Sequence, residues 1–313
     1  MSKASSQKIP LNPHIVLLVL AILAYVLPPI IFPAPSNPKY HFSTLQIIAL
    51  SISVLTPWIA AWIFGVAGYS RLLKYAASIK DAQAARPFYL LARGIMVLVW
   101  GLIVATLIAV LRSHNPANHG LVVGTTIIVN YIYAFTPLAG FYYIRQAILQ
   151  LNSAKRPRLA LNVATGIVAL GLLALAAIYV FLTFTNPNRT VAVDSITPAT
   201  YYLPDWLVLL TVVVPVVASW TIGVLAVAEM YHYQRVVSGF IYRRFMRTLT
   251  YGLITIIISS ILLEGLLALG TQRLLGSGLQ ALLAFLYAFL LVELIGYVLV
   301  SHGSKKLTLI ETA

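Results

Sequence analysis

The chain has 313 residues, 60% hydrophobic and only 9% charged, with 21 Lys and Arg against 7 Asp and Glu, and its mean hydropathy is +0.92. A soluble domain carries about 25% charged residues, so this composition excludes a water-covered globule and equally excludes disorder. The absence of cysteine excludes a disulfide scaffold, a thiolate metal site and a cysteine nucleophile.

What is left is a polytopic membrane protein, divided into spans of about 20 residues and short connections. Apolar runs of that length fall near 14 to 32, 45 to 67, 88 to 111, 121 to 143, 159 to 184, 206 to 228, 249 to 270 and 279 to 300. None alternates as a barrel strand does, and an open span must satisfy its own backbone in lipid, so all eight are expected to be α-helical. Span one follows Lys3 and Lys8 as a signal peptide would. It ends in Pro28, Pro29, Pro33 and Pro35 without a small-residue cleavage pattern, and it is kept as a span.

Span two contains Pro57. Beyond it, Leu72, Tyr75, Ala76 and Ile79 recur at helical spacing between Arg71, Lys74 and Lys80, which predicts a helix running on past the membrane, as an interfacial amphipathic stretch or as a plain extension. Span four contains Pro137 and span six Pro215; with Pro57 these are the candidate helix kinks, because proline removes a donor and frees a carbonyl. The outer loop His114-Asn-Pro-Ala-Asn-His119 holds two histidines but no third ligand, which is too little for a metal site. The longest outer loop, Thr185 to Asp205, includes the glycosylation-type triplet Asn188-Arg-Thr190.

Lysine and arginine set the orientation. All of them except Lys39, Arg112, Arg189 and Arg273 fall on one side of the eight-span arrangement, and that side is cytoplasmic. Both termini are therefore expected in the cytoplasm of a plasma-membrane protein. The positive balance is accounted for by topology, so nucleic acid is not an expected partner. Tyr69, Tyr75, Tyr89, Tyr142, Tyr231, Tyr251 and Tyr297 stand among the tyrosines near span ends, where amphipathic rings sit at headgroup level.

The two halves of the chain share a pattern. Pro57, Ala60, Trp62, Gly65 and Val66 match Pro215, Ala218, Trp220, Gly223 and Val224 at an offset of 158 residues, and Tyr75, Arg86 and Gly94 then fall on Tyr233, Arg244 and Gly252. With a gap, Tyr133-Ala-Phe135 matches Tyr287-Ala-Phe289. A duplicated four-helix unit is expected, as residues 1–152 and 153–313; with an even number of spans per copy the repeats are parallel, about an axis along the membrane normal.

Of the seven acids, Glu264 and Glu293 lie inside spans seven and eight. An intramembrane carboxylate is costly and marks an ion or proton site by default, with interhelical hydrogen bonding as the bland alternative. Glu229 and His232 are three residues apart at the end of span six, but the further Glu and His residues of a di-iron bundle are missing. An interhelical pair of Glu229 with Arg71 is the simpler expectation, and no metal or cofactor is expected. Phosphate loops, zinc-protease and hydrolase motifs are absent, and so few buried polar groups argue against an enzyme.

These features lead to an all-α membrane protein that transports or conducts a small solute or ion between two repeats. The alternative is a membrane sensor or assembly subunit. In that case the basic loops and the tail Ser304-Lys-Lys-Leu-Thr-Leu-Ile-Glu311, which resembles the short linker after the last span of bacterial sensor kinases, would signal to a separate cytoplasmic protein partner. The bilayer is the one partner common to both.

Overall fold

In a computed structural model of the chain, residues 44–113, 119–151, 214–236, 240–269 and 279–308 are described. They form six helices and no strand: α1 (Thr44–Ser78), α2 (Ala82–Ser113), α3 (His119–Leu151), α4 (Val214–Val236), α5 (Phe240–Leu269) and α6 (Leu279–Thr308). Spans one and five, the loop from 185 to 205, His114 and the last five residues lie outside the described residues. Two described stretches, Ala82–Ala105 and Val214–Arg235, are long and apolar enough to cross a membrane.

α1 is one unbroken helix of 35 residues, about 52 Å long at 1.5 Å per residue, so the segment after span two does continue as helix. Along that continuation Leu72, Tyr75 and Ala76 are buried while Lys74 is exposed. The chain reverses at once into α2, where Asp81 caps the new helix: its carboxylate accepts from the Gln83 amide at 2.9 Å and its carbonyl from the Ala85 amide at 2.9 Å, satisfying donors that would otherwise be orphaned. Between α4 and α5 a side chain performs the converse task, Arg243 donating to the terminal carbonyls of Gln234 and Arg235, both at 3.1 Å.

Each described helix packs on its neighbours in chain order, and α6 packs back on α1, so the six close into a ring. Glycines set the closest approaches. A Cβ on Gly94 of α2 would stand 2.7 Å from the Gly140 carbonyl oxygen of α3, and one on Gly252 of α5 would stand 2.9 Å from the Gly296 carbonyl oxygen of α6. Small residues let apolar helices gain contact where lipid offers no hydrophobic drive between them. The contacts recur in the two triplets of helices. Gly65 meets Val99 and Tyr297, and Gly223 meets Ile257 and Phe141; Gly140 meets Leu98, and Gly296 meets Ile256. Between α3 and α6 this correspondence runs at an offset of 156 residues, which pairs Gly140 with Gly296 and differs from the register of the Tyr-Ala-Phe match by two residues.

Trp62, Tyr69, Phe141, Phe245 and Tyr297 are the largest fully buried side chains. Tyr69, Tyr75 and Tyr297, expected at headgroup level, are thus in the interior. A buried phenol needs a partner: Tyr69 accepts from the Trp100 indole at 3.0 Å, and the hydroxyls of Tyr75 and Tyr242 bond to each other. Tyr89, Tyr142, Tyr231 and Tyr251 are exposed, as the belt reading requires. Ile63, Phe64, Val104, Ile258, Leu291 and Ile295 also face outward, an apolar belt suited to hydrocarbon rather than water.

Several hydroxyls inside the bundle are satisfied locally. Ser219, Thr221 and Thr250 donate to carbonyls three or four residues earlier in their own helices at 2.7 to 2.9 Å, so they need neither water nor a neighbour.

Candidate functional site

A cavity of about 60 Å³ lies between α2, α3, α5 and α6, large enough for about two water molecules at roughly 30 Å³ each. Its walls come from both triplets. α2 and α3 supply Leu98, Gly101, Leu102, Pro137 and Phe141, while α5 and α6 supply Ile256, Ser259, Ser260, Glu293 and Tyr297. These ten residues form five corresponding pairs at the offsets already seen, 158 for α2 with α5 and 156 for α3 with α6, while Ile132, Thr136 and Phe289 line the cavity without a counterpart. The correspondence is in place but not in chemistry. Where the first triplet has glycine, leucine, proline and phenylalanine, the second has two serines, a carboxylate and a phenol.

Glu293 is the central residue of α6, about 21 Å from its first residue, and is 7% exposed. Its Oε2 is buried and makes no hydrogen bond among the described residues. An ionised carboxylate in such surroundings has lost its hydration without replacement, at a cost of several kcal/mol or more. The cavity wall carries no lysine, arginine or histidine among the described residues. Tyr297 follows Glu293 by one turn on the same face, and the spacing of four was the available signal for it; it went unread because its place near a span end suited the aromatic belt. Ser259 and Ser260 carry no mark in the sequence that separates them from other hydroxyls in apolar helices.

Glu264 lies on α5 one turn beyond Ser260, about 6 Å further along the axis and away from the basic end. Its side chain is outside the described residues. Pro57 and Pro137 stand inside α1 and α3, and Pro137 lines the cavity. Pro215 is the second described residue of α4, and the residues that precede it lie outside the described residues.

Glu229 pairs differently from the expectation. Its carboxylate lies 3.3 Å from the Arg145 guanidinium of α3, whereas Arg71 of α1 donates to the carbonyl and hydroxyl oxygens of Ser301 on α6, at 3.0 and 2.8 Å. The reason is the ring order: α4 packs on α3 and α1 packs on α6, so corresponding positions on α1 and α4 look toward different neighbours.

Arg145 is 32% exposed and Glu229 13%, so the two partners do not lose equally when separated. Arg145→Met takes the guanidinium from a mostly buried carboxylate and should cost about 1–3 kcal/mol, whereas Glu229→Gln leaves a partly hydrated guanidinium and should cost less than about 1 kcal/mol. Thermal unfolding of both single variants and the double variant measures this; equal losses would remove the asymmetry.

No group of three or more potential metal ligands exists among the described residues. Compared with protein-family models, curated proteins and solved structures, the chain matches none.

Proposed function

We propose that the protein is a plasma-membrane transporter or channel for a small ion, built from two copies of a four-helix unit, residues 1–152 and 153–313, with the ion site between them. The observation that carries this reading is the cavity: both triplets contribute corresponding positions to its wall, and on that wall sits a carboxylate without a counter-charge among the described residues. In a parallel duplication the axis passes between the halves, and a site on that axis opens to either side when the halves rock. The recurring glycine contacts support the duplication, and the seams α1–α6 and α3–α4 would be the surfaces that move. A cavity of about 60 Å³ fits an ion or a few waters better than an organic solute, which needs about 300 Å³ or more.

The basic end of the bundle faces the cytoplasm in this reading, with Arg235, Arg243, Arg244, Arg247, Lys305 and Lys306 clustered there. Single cysteines replacing Asn118, Asn188 and Ser277 should react with an impermeant maleimide from outside, and those replacing Ser78, Ser153 and Ser238 only after the membrane is opened. External reaction at Ser153 would remove the eight-span topology.

Transport itself is tested by reconstituting the purified protein into liposomes and imposing a pH or salt gradient across them. Ion-dependent dissipation above protein-free vesicles is the expected result. Folded protein that leaves every gradient intact would favour a sensor or assembly subunit acting through its basic loops and tail.

A further inference from the structure

We propose that Glu293 is a proton-binding site that does not take sodium or larger cations, so that H+ is the ion handled at the cavity; this rests on the transport reading above and specifies its substrate. A buried carboxylate needs a positive partner, and the protein supplies none on the cavity wall among the described residues. With no described side chain as partner, the positive charge is taken here to come from solution, as a proton or as a metal cation.

The arrangement of oxygens separates the two. A hard cation is held by about six oxygens, each about 2.4 Å from it, which brings neighbouring ligands to within about 3.4 Å of one another. The cavity has hydroxyls on Thr136, Ser259, Ser260 and Tyr297, enough in number to complete such a shell. None of them hydrogen-bonds to Oε2 of Glu293, which has no hydrogen-bond partner among the described residues, so that oxygen is not already part of such a shell. A proton needs one oxygen only, and its binding removes the charge that burial opposes.

Nothing else on the wall competes for that proton near neutral pH. Tyr297 of α6 itself is the other titratable group there among the described residues, and an ordinary phenol is neutral until about pH 10. Among the described side chains, α2, α3 and α5 present no ionisable group to the cavity; the Glu264 carboxyl of α5, one turn beyond Ser260, lies outside them. On α1, which packs against α6, Gly65 faces Tyr297, and Arg71 meets α6 at Ser301, two turns beyond Glu293. The Arg145–Glu229 pair joins α3 to α4 and contributes no residue to the wall.

The test uses dicyclohexylcarbodiimide, an apolar reagent selective for protonated carboxyls in apolar surroundings. The carboxyl proton moves to one carbodiimide nitrogen and the carboxyl oxygen bonds to the central carbon; the resulting O-acylisourea rearranges to a stable N-acylurea, with no atom lost. The full-length protein in liposomes is treated across a pH series, in sodium chloride or choline chloride of equal concentration, and the adduct is located by peptide mass spectrometry.

Modification at Glu293 is expected, with a rate falling about tenfold per pH unit once the group ionises and unchanged by sodium. Glu293→Gln should lose this adduct, while Glu264→Gln should keep it. Protection by sodium of threefold or more, about 0.65 kcal/mol, would overturn the proposal, as would a folded protein whose Glu293 stays unmodified at every pH while the same peptide reacts after unfolding. The labelling needs no transport: gradients that persist beside a normal sodium-independent adduct would remove the transporter reading and leave the proton site standing.

Discussion

Glu293→Gln is expected to abolish ion flux in reconstituted vesicles while the unfolding midpoint barely moves. The amide keeps the shape of the side chain and much of its hydrogen-bonding capacity but cannot exchange a proton at neutral pH. If proton exchange at this group is the step that couples the two faces of the membrane, the rate falls by far more than tenfold, and each factor of ten corresponds to about 1.4 kcal/mol of barrier. If the carboxyl merely joined helices, the same change would remove a membrane hydrogen bond worth about 0.6 kcal/mol on average. Flux and thermal unfolding measured on one preparation separate these cases, and wild-type flux in Glu293→Gln would remove the central role given to this residue. Glu264→Gln, toward the end of α5 opposite the basic cluster, should change apparent affinity or pH dependence more than maximal rate.

The largest loss of stability is expected at Gly94. An added methyl would stand 2.7 Å from the Gly140 carbonyl oxygen and 3.1 Å from the Ile144 amide nitrogen. Both are backbone atoms, so the methyl can be admitted only by moving α2 away from α3. Overpacking of this kind costs about 1–3 kcal/mol, and Gly94→Ala should lower the unfolding midpoint accordingly. Gly303 is the control, because its nearest neighbours would be 3.5 to 3.6 Å from an added methyl, an ordinary contact. Equal stability of Gly94→Ala and Gly303→Ala in the same detergent would show that backbone approach at Gly94 does not limit the packing of α2 on α3.

The helical class and the positions of α1 to α6 were legible because length and apolarity are nearly sufficient to mark a membrane helix. The matches of Gly65 with Gly223 and Gly94 with Gly252 also anticipated the glycines that meet their neighbours in corresponding ways. The register of α3 against α6 was not legible. Tyr-Ala-Phe is made of residues common in apolar helices, whereas packing is set by the glycines at 140 and 296, two residues out of step with it. The partner of Glu229 was missed for a different reason. Sequence correspondence placed it opposite Arg71 in an alignment, but positions that align need not meet in space: α4 packs on α3 and α1 on α6, and each residue takes its partner from that neighbour. Glu293 was visible as an intramembrane acid; that it borders a cavity with Ser259, Ser260 and Tyr297 depends on side-chain directions that one sequence does not encode.

The two seams of the ring bear on which fragments of this chain can assemble with one another. At the α3–α4 seam Arg145 meets Glu229, and at the α1–α6 seam Arg71 meets Ser301. If a second copy of α1–α3 took the place of α4–α6, each new seam would set Arg145 of one copy against Arg71 of the other, two guanidinium groups in a partly buried site. The second half paired with itself would instead set Ser301 against Glu229, a hydrogen bond that can form. If the halves are copies of one unit, a basic residue in one and an acidic residue at the corresponding position of the other would make the first half dependent on the second. Expressed alone, the first half should remain without a partner, whereas the second half retains a route to self-association.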